Sequence, residues 1–288
     1  MAVARAAMPG DSFDAMMLTE TAPAKLNLAL HLRRRRADGY HDLETVFAFT
    51  EFGDDLSVAP ADTLSLAVVG DFAGPAGQGA DNLVLRAARA LAAAAGVSAG
   101  AALRLEKHIP VAAGLGGGSA DAAAALRLLN RLWRIDWPEA RLLAIAETLG
   151  SDVPACVASQ TCFGSGRGEQ LAVWPVALTG TPVLLVNPRV AVATGPVFAG
   201  WDQIDLGAIA PGAALTTLRN DMTAAARVIA PIVAEVLTAL DSAGGASLVR
   251  MSGSGATCFA LYPDVVACAA AARAVLARGW WMAETRLL

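Results

Sequence analysis

The glycine-rich stretch in the middle of the chain constrains its fold more than any other segment. Residues His108–Asn130 read HIPVAAGLGGGSADAAAALRLLN, with four glycines among the five positions 114–118. An apolar run, Leu103–Leu105, precedes this stretch, and an alanine-rich segment follows Ser119. Glycine allows positive φ angles and the close approach of a ligand, whereas alanine is the best helix former. The sequence therefore predicts a glycine loop that leads into the N-terminus of a helix.

A loop of this kind is suited to binding an anion. The first N–H groups of a helix lack acceptors, and the positive end of the helix dipole lies beside them. The pattern is not a Walker A motif, because no lysine follows the glycines, nor a Rossmann fingerprint, because Ser119 stands where the last glycine is needed. The alternative is a flexible turn before a buried helix. Because so many glycines cost conformational entropy that a plain turn does not require, we expect a phosphate chain as the ligand.

The composition of the chain excludes several functional classes. Its 288 residues suffice for one large domain or two of ordinary size, and the 55% hydrophobic content indicates a sizeable core. The net charge of −4 provides no general basic field for nucleic acid, and the basic run Arg33–Arg36 is typical of a solvated turn. The four cysteines form no CxxC pair and the three histidines no HxxxH pair. We therefore expect no zinc site, and free thiols in a reducing cytosol.

No segment indicates export or membrane insertion. Residues 1–17 lack the layout of a signal peptide, since Pro9, Gly10 and Asp11 interrupt any apolar run, and we expect them to form an N-terminal extension. The longest uncharged stretch, Leu171–Pro188, contains prolines and a glycine, which is typical of strands joined by a turn. We expect a cytoplasmic protein with no membrane partner.

The remaining pattern predicts a mixture of strands and helices. Strands are expected at Leu18–Leu32 with a break at Pro23, Thr45–Phe52, Leu56–Val58, Thr63–Val69, Leu103–Lys107, Val183–Val186, two segments within Ser247–Tyr262, and Trp280–Arg286. Helices are expected at Asn82–Ala95, after Ser119, at Trp137–Leu149, from Ser151 onward, at Asn220–Ala239 with a kink or restart at Pro231, and at Val265–Gly279. Asp71–Ala80 is expected to be a loop, and turns are expected at Asp38–Gly39, Gly164–Gly168 and Ser252–Gly255.

Three polar residues are candidates for contacts with a phosphate or a hydroxyl. Lys25 and Asn27 share one face of the first strand with Ala29, because alternate residues of a strand point the same way. The alternative for Lys25 is a surface lysine on a half-exposed strand. Asp152 stands at a helix N-terminus, where the dipole keeps a carboxylate ionised and able to accept a proton. The alternative is that Asp152 or Ser151 only caps that helix.

Two further candidates follow the Asp38–Gly39 turn directly. Tyr40 and His41 combine an aromatic ring with an imidazole, which together can stack on a flat ring and bond to its edge. The alternative is a cross-strand packing pair within a hairpin. The sequence motifs alone do not decide between these two interpretations.

Three motifs in combination resemble the GHMP kinase superfamily, whose members phosphorylate small-molecule alcohols with ATP. The motifs are PAKLNLAL at Pro23–Leu30, PVAAGLGGGSADAA at Pro110–Ala123, and SGSGATCFAL at Ser252–Leu261. Further segments resemble the branch that acts on 4-diphosphocytidyl-2-C-methyl-D-erythritol in non-mevalonate isoprenoid biosynthesis: RADGYHDLETVF at Arg36–Phe47, GSDVPACV at Gly150–Val157, the GxGRGE run at Gly164–Glu169, and NDM at Asn220–Met222. The resemblance extends from about Leu18 to the C-terminus, with the motifs in the family's order.

The resemblance implies an α/β (α+β) fold of two domains with the active site between them. A ribosomal-S5-like N-terminal domain would span residues 18–170, and a C-terminal domain with a split β-α sandwich would span 171–288. The implied reaction is ATP-dependent phosphorylation of the 2-hydroxyl of the methylerythritol unit, in a bacterial cytoplasm. The implied partner is a small molecule with a cytidine diphosphate group and not a nucleic acid, and we expect a monomer or a weak homodimer.

The resemblance also implies roles for individual residues. Asp152 and Lys25 would be catalytic, with Asp152 accepting the hydroxyl proton and Lys25 holding that carboxylate ionised. Tyr40 and Phe198 would sandwich the cytosine while His41 bonds its edge. The implied substrate contacts are Asn27, Tyr40, His41, the backbone of Lys107, Thr194 and Phe198. The implied ATP contacts are Asn82, Pro110, Val111, Ala112, Ala113, Gly114, Leu115, Gly116, Gly117, Gly118 and Ser119. Mg²⁺ would neutralise the triphosphate, with Ser119 as a candidate ligand.

Three alternatives remain open at this point. The first is another GHMP enzyme, such as a homoserine or mevalonate kinase, although neither substrate carries a base for Tyr40, His41 and Phe198 to bind. The second is a nucleotide-binding regulator without activity, against which the presence of both Lys25 and Asp152 argues. The third is an S5-like RNA-binding module, which the acidic balance disfavours.

Overall fold

The computed structural model describes residues 17–288 of the chain. The expected N-terminal extension lies, except for Met17, outside the described residues. The strands are β1 Leu18–Arg35, β2 His41–Ala61, β3 Leu64–Val69, β4 Gly100–Glu106, β5 Cys162–Ser165, β6 Gln170–Val173, β7 Pro182–Asn187, β8 Leu248–Met251, β9 Cys258–Leu261 and β10 Trp281–Arg286. The α-helices are α1 Ala73–Ala76, α2 Leu83–Ala95, α3 Gly117–Leu132, α4 Glu139–Leu149, α5 Val153–Ala158, α6 Thr194–Ala199, α7 Thr223–Ile229, α8 Ile232–Ala243 and α9 Val265–Val275.

The first sheet carries the N-terminal half of the described chain. Its strands lie in the order β3-β4-β2-β5-β6, and β1 pairs with β2 in a long antiparallel hairpin. The hairpin turns at Arg36–Tyr40, where the N–H of Arg36 donates to the carbonyl of Tyr40 at 2.8 Å and Gly39 has a φ of 87°. Helices α2–α5 cover this sheet, and buried residues such as Phe47, Leu91 and Leu126 form the core between them. The two-layer arrangement buries the apolar stripe of each helix against the sheet.

The second sheet has the order β10-β7-β9-β8 and is covered by helices α7–α9. The far end of the β1–β2 hairpin joins its core, since Leu30, Leu32 and Leu43 pack with residues of the second half such as Leu184. A third buried cluster joins Leu26 and its neighbours on β1 to Phe259 and its neighbours on the second sheet. The hairpin therefore spans both halves and fixes one against the other.

The structure corrects the expected break of the first strand at Pro23. Strand β1 continues through Pro23, and the pairing with β2 shifts register between Pro23 and Lys25. Because proline has no N–H to donate, a register shift accommodates it inside a paired strand. Gly53 stands opposite Pro23, and a Cβ there would lie 2.3 Å from the carbonyl oxygen of Ala22. Strand β2 is likewise continuous, where two shorter strands were expected.

One further expectation was wrong: the expected loop Asp71–Ala80 contains the short helix α1.

The expected restart of the helix Asn220–Ala239 at Pro231 is confirmed, because the segment forms two helices, α7 and α8, bent by 120°. Pro231, between them, cannot continue the hydrogen-bond ladder of α7, and Ala230 before it leaves the helical region at φ −134°. Within residues 17–288 no single helix is long and apolar enough to cross a membrane, and the bent pair passes that test only when both helices are counted together.

The pairing of the strands bears on where the two domains divide. The expected division at residues 170 and 171 falls inside the start of β6, which pairs with β5 in the first sheet. The second sheet begins with β7 at Pro182. We propose that the domains divide in the connection 174–181, which belongs to neither sheet.

Candidate active site

The glycine loop lies at the mouth of a large cleft between the two halves. Helix α3 begins at Gly117, and Gly114 and Gly116 adopt φ angles of 77° and 64°. The loop lines a cavity of about 600 Å³. The first N–H groups of α3 have no acceptor within the helix, and the helix behind them is buried. The expected geometry of an anion site is therefore present, and the buried helix of the alternative interpretation is present as well.

Contacts from distant parts of the chain hold the carbonyl oxygens of the loop. The oxygen of Leu115 accepts from the N–H of Lys25 at 2.8 Å, and that of Ala113 accepts from the N–H of Thr257 at 3.1 Å. The oxygen of Gly114 accepts from the hydroxyl of Ser252 at 2.8 Å. Three consecutive carbonyl oxygens are therefore bonded to protein donors. Because these oxygens are engaged, their negative charge does not repel an anion that approaches the loop.

The second glycine turn, at Ser252–Gly255, therefore does more than join two strands. Its Ser252 hydroxyl also accepts from the N–H of Asn27 at 3.1 Å, so it ties β1 to the glycine loop. A Cβ on Gly114 would lie 2.3 Å from the Ser252 carbonyl oxygen, so only glycine permits this approach. The sequence analysis missed this role, because it treated the turn as a local feature.

Lys25, Asn27 and Asp152 come together beside the glycine loop. The Nζ of Lys25 lies 3.0 Å from Oδ2 of Asp152 and 2.8 Å from Oδ1 of Asn27. The Nδ2 of Asn27 donates to the Thr45 hydroxyl at 2.8 Å, and that hydroxyl donates to the Ala29 carbonyl at 2.6 Å. This chain of bonds fixes the orientation of the Asn27 amide and aims its oxygen at the lysine.

The burial of this group excludes the surface interpretation of Lys25. The lysine side chain is 4% exposed, whereas that of Asp152 is 33% exposed. Asp152 stands at the start of α5 but makes no capping bond with its side chain. The Lys25 Nζ also lies 5.4 Å from the centre of the Phe47 ring. A buried ammonium is thus paired with a carboxylate that opens into the cleft, and the capping interpretation of Asp152 is wrong.

An aromatic cavity of about 380 Å³ adjoins the cleft. Its walls include Tyr40, His41 and Phe198, and the His41 and Phe198 rings stack with centroids 5.0 Å apart and planes 26° apart. Trp201 packs edge-on against His41 at 5.7 Å. Tyr40 is 54% exposed, so the cross-strand packing alternative does not account for it. Trp201 was missed, because nothing in the sequence links it to residues 160 positions earlier.

Burial of His41 lowers the pKa of its imidazole, and the nearby Arg35 guanidinium lowers it further. The imidazole is therefore neutral at neutral pH, with one ring nitrogen as donor and the other as acceptor. A neutral imidazole beside aromatic rings suits recognition of a base edge that itself presents donors and acceptors.

The structure places Lys107 away from the aromatic cavity. Its ammonium is buried between Asp54 and Asp121 and lies 2.7 Å from Oδ2 of Asp121. Asp54 also accepts the N–H groups of His108 and Ile109 at 2.6 and 2.8 Å. This cluster ties β2 and β4 to helix α3 beneath the glycine loop. Asp54 and Asp121 were not among the sequence candidates, although Asp121 belongs to the glycine motif.

The charges of this buried cluster do not balance. Burial opposes the charged form of Lys107, but the two carboxylates outweigh it and raise the pKa of Lys107. Burial raises the pKa of Asp121 to about 8, and the ammonium of Lys107 opposes that shift only in part. One oxygen of Asp121 has no hydrogen-bond partner among the described residues. Burial therefore favours the protonated form of Asp121, which would balance the charge of the cluster.

The other expected ATP contacts lie along the same cleft. Asn82 caps α2 by accepting from the N–H of Val84 at 2.9 Å, and its Nδ2 donates to Gly77 at 2.9 Å. Thr194 lies between the two cavities, with its hydroxyl 3.0 Å from that of Ser254. The remaining expected contacts that line the cleft are Pro110, Val111, Ala112, Ala113, Gly114, Leu115, Gly116, Gly117, Gly118 and Ser119. All the expected ATP contacts therefore line the same cleft.

Among residues 17–288 no cluster of three or more histidine, cysteine or acidic side chains could enclose a metal ion. The four cysteines, Cys156, Cys162, Cys258 and Cys268, are buried free thiols. Ser119 lies in the first turn of α3 and lines the cleft.

Comparison with known proteins agrees with this arrangement. A model of the GHMP kinases N terminal domain matches residues 82–160, and a model of the GHMP kinases C terminal domain matches residues 203–279. A 4-diphosphocytidyl-2-C-methyl-D-erythritol kinase of Rhizorhabdus wittichii is 54% identical over 278 residues, which cover 93% of this chain and 94% of the relative. An enzyme of the same name from Novosphingobium aromaticivorans is 50% identical over 272 residues, with 93% and 92% covered.

Solved structures give the same result. A crystal structure of 4-(cytidine 5'-diphospho)-2C-methyl-D-erythritol kinase superposes with a TM-score of 0.80 at 35% identity, covering 94% of this chain and 99% of that one. Homoserine kinase from Cytophaga hutchinsonii shares the fold, with a TM-score of 0.71, 18% identity and all of both chains covered. The chain therefore belongs to the GHMP kinases and, among them, to the family of the 4-diphosphocytidyl-2-C-methyl-D-erythritol kinases.

Proposed function

We propose that this protein transfers the γ-phosphoryl group of ATP to the 2-hydroxyl of 4-diphosphocytidyl-2-C-methyl-D-erythritol. The observation that carries the proposal is a pair of adjoining cavities that share five lining residues. A glycine loop lies at one side, the Lys25–Asp152 pair lies beside it, and the aromatic cavity of His41 and Phe198 adjoins both. The names of the 54% and 50% identical relatives point to the same substrate.

The glycine loop would bind the ATP phosphates. Its free N–H groups and the dipole of α3 favour negative charge at Gly117, while the loop carbonyls are engaged with Lys25, Ser252 and Thr257. Asn82 and Pro110 line the same cleft and would flank the adenosine.

Lys25 and Asp152 would act at the transferred group. A lysine ammonium has three donors, and Lys25 uses one for Asn27 while it forms an ion pair with Asp152, which leaves a donor for a phosphoryl oxygen. The half-buried carboxylate of Asp152 would accept the proton of the attacking hydroxyl. In a loose transition state this proton leaves late. The buried Lys25 would hold Asp152 in position through their ion pair and stabilise the charge on the phosphoryl oxygens.

The aromatic cavity would hold the cytosine. Tyr40 and Phe198 present rings to the cavity, and the neutral His41 would bond to the edge of the base. Thr194, at the junction with the cleft, would contact the part of the substrate that leads from the base to the hydroxyl. Lys107 lines the cleft and not the aromatic cavity, so we do not include its backbone among the base contacts.

Magnesium fits this site as a companion of ATP. Mg²⁺ is commonly bound by substrate phosphates with one or two protein oxygens, and the Ser119 hydroxyl can supply one. Of the cleft carboxylates, Asp152 is paired with Lys25 and Asp121 is buried with Lys107. When bound, the ion would neutralise part of the triphosphate charge.

The direct test is ADP release with a panel of acceptors. The panel contains 4-diphosphocytidyl-2-C-methyl-D-erythritol, mevalonate, homoserine and no acceptor. We expect ADP only with the cytidine compound. ADP formed only with another alcohol would overturn the base assignment while keeping a GHMP kinase. No ADP with any acceptor, in protein that binds ATP, would favour the regulator that lacks activity.

A further inference from the structure

Arg167 occupies the junction between the cleft and the aromatic cavity. Five described residues line both cavities, and Arg167 is the one cation among them. The residue lies in the tight turn between β5 and β6, where Gly166 and Gly168 adopt φ angles of 72° and 112°. The N–H of Leu43 donates to the carbonyl of Gly166 at 2.7 Å, which ties this turn to β2. The cation is thus presented by a short, anchored turn and not by a long loop.

The guanidinium of Arg167 keeps donors free. Its Cζ lies 5.1 Å from the centre of the Tyr40 ring, within the range of a cation–π contact. Its Nε lies 3.8 Å from Oε2 of Glu169, which is too long for a hydrogen bond, and that oxygen already accepts the backbone N–H of Arg167 at 2.7 Å. The side chain is 30% exposed, and no described residue accepts a hydrogen bond from it.

The carboxylate of Glu169 pairs with Arg167 on the Nε side only, at 3.8 Å, and no described residue accepts a hydrogen bond from the two terminal nitrogens of the guanidinium. Asp38, on the neighbouring hairpin turn, is engaged at 3.0 Å by Arg36. Arg35 lines the same aromatic cavity and adds positive charge. The junction between the cavities therefore presents unused guanidinium N–H donors, which would stabilise an anionic ligand.

We infer that Arg167 binds the diphosphate of the acceptor and so sets its selectivity for a nucleoside diphosphate over a free alcohol. The inference rests on the proposed function. If the base occupies the aromatic cavity and the reacting hydroxyl lies at Asp152, the diphosphate between them crosses the junction. The planar guanidinium donates two parallel hydrogen bonds to phosphate oxygens while its face remains on Tyr40.

The test compares Arg167→Gln and Arg167→Lys with the parent protein and with a control, Arg141→Gln. Arg141 also stacks on an aromatic ring, 3.7 Å from the centre of Trp137, but it lies on the exposed face of α4. We expect Arg167→Gln to raise the KM for the acceptor by roughly 10- to 100-fold and to leave the KM for ATP within about twofold. The KM of Arg167→Lys for the acceptor is expected to lie between those of Arg167→Gln and the parent protein. The KM of Arg141→Gln is expected to match that of the parent.

Calorimetric binding of cytidine 5'-diphosphate and of cytidine separates the diphosphate from the base. Arg167→Gln should weaken the binding of cytidine 5'-diphosphate by the same factor by which it raises the KM for the acceptor, and it should leave the binding of cytidine unchanged. Equal losses for both ligands would show that Arg167 acts through Tyr40, and a raised KM for ATP alone would place it on the ATP side; each overturns the inference. A parent protein that binds neither ligand would refute the proposed function, whereas parent and variant that bind the diphosphate equally would refute only the role of Arg167.

Discussion

The ammonium of Lys25 and the carboxylate of Asp152 lie 3.0 Å apart, yet only the carboxylate reaches solvent. Asn27 and Phe47 enclose the lysine from the other sides. A fixed, buried cation that faces an accessible carboxylate is preorganised, so in the proposed reaction it would need little rearrangement as charge develops during transfer. The pair also couples the first strand of the fold to helix α5 across the cleft.

Replacement of Asp152 by asparagine should abolish most of the turnover. The amide cannot accept the hydroxyl proton, so we expect kcat to fall by about 100- to 10,000-fold. ATP affinity, measured by calorimetry, should change little, because the glycine loop is intact. Asp241→Asn, on the exposed surface of α8, serves as the control. Loss of ATP binding in Asp152→Asn would show that the residue supports the fold of the cleft instead.

Removal of the Tyr40 ring should weaken the binding of the acceptor and leave the binding of ATP unchanged. Stacking of an aromatic side chain on a base contributes about 1–3 kcal/mol, so Tyr40→Ala is expected to raise the acceptor KM by roughly 5- to 100-fold. Tyr40→Phe keeps the ring and should retain most of the affinity. Steady-state kinetics with each substrate varied in turn provides the measurement. An equal effect of both variants would argue against stacking.

Substitution of Asp121 by asparagine should change how stability depends on pH. Burial raises the pKa of Asp121 to about 8 in the folded protein, well above its unfolded value of 3.8. The folded state therefore holds a proton that the unfolded state releases, and its stability falls as the pH rises between those values, by at most about 1.4 kcal/mol per pH unit. Asp121→Asn removes this loss. Urea unfolding of both proteins at pH 5 and pH 8 should show the variant gaining relative stability at pH 8.

The opposite pH dependence is expected for His31. This buried residue has Nδ1 3.0 Å from the Gly207 carbonyl, and its Nε2 accepts the N–H of Arg219 at 3.3 Å. Burial lowers the pKa of His31 below 6.5, against a raising effect of the Gly207 bond. The unfolded state thus binds the proton more readily, so this contribution to stability is present above pH 6.5 and is lost as the pH falls. The free energy of unfolding of His31→Gln should depend less on pH between pH 7 and pH 5 than that of the parent protein. An unchanged pH dependence would contradict this role.

Local signals were sufficient for the parts of the site that lie on one element. The glycine run predicted the loop and helix α3, and the alternation of β1 placed Lys25 and Asn27 together. The predicted turn at Asp38–Gly39 indicated the two residues after it, Tyr40 and His41, as candidates. Phe198 entered only through the resemblance, because no local pattern connects it with the hairpin.

Signals between distant segments were not available in the sequence. Asp54 and Asp121 meet Lys107 only through the packing of two strands against α3, and Trp201 meets His41 only through the joining of the two halves. The continuity of β1 through Pro23 also depends on its partner strand, since Gly53 lies opposite. Tertiary contacts decided these features, and a single sequence read by local propensity does not contain them.

The contact between Gly114 and Ser252 makes the glycine loop a joint product of both halves of the chain. A loop built in this way cannot be transferred to another protein as a single segment. Exchange of either half with that of a relative would preserve each sheet and still disturb the contact between Gly114 and Ser252 that holds the loop. Tolerance of such chimaeras should therefore depend on the match between the two glycine turns more than on overall sequence similarity.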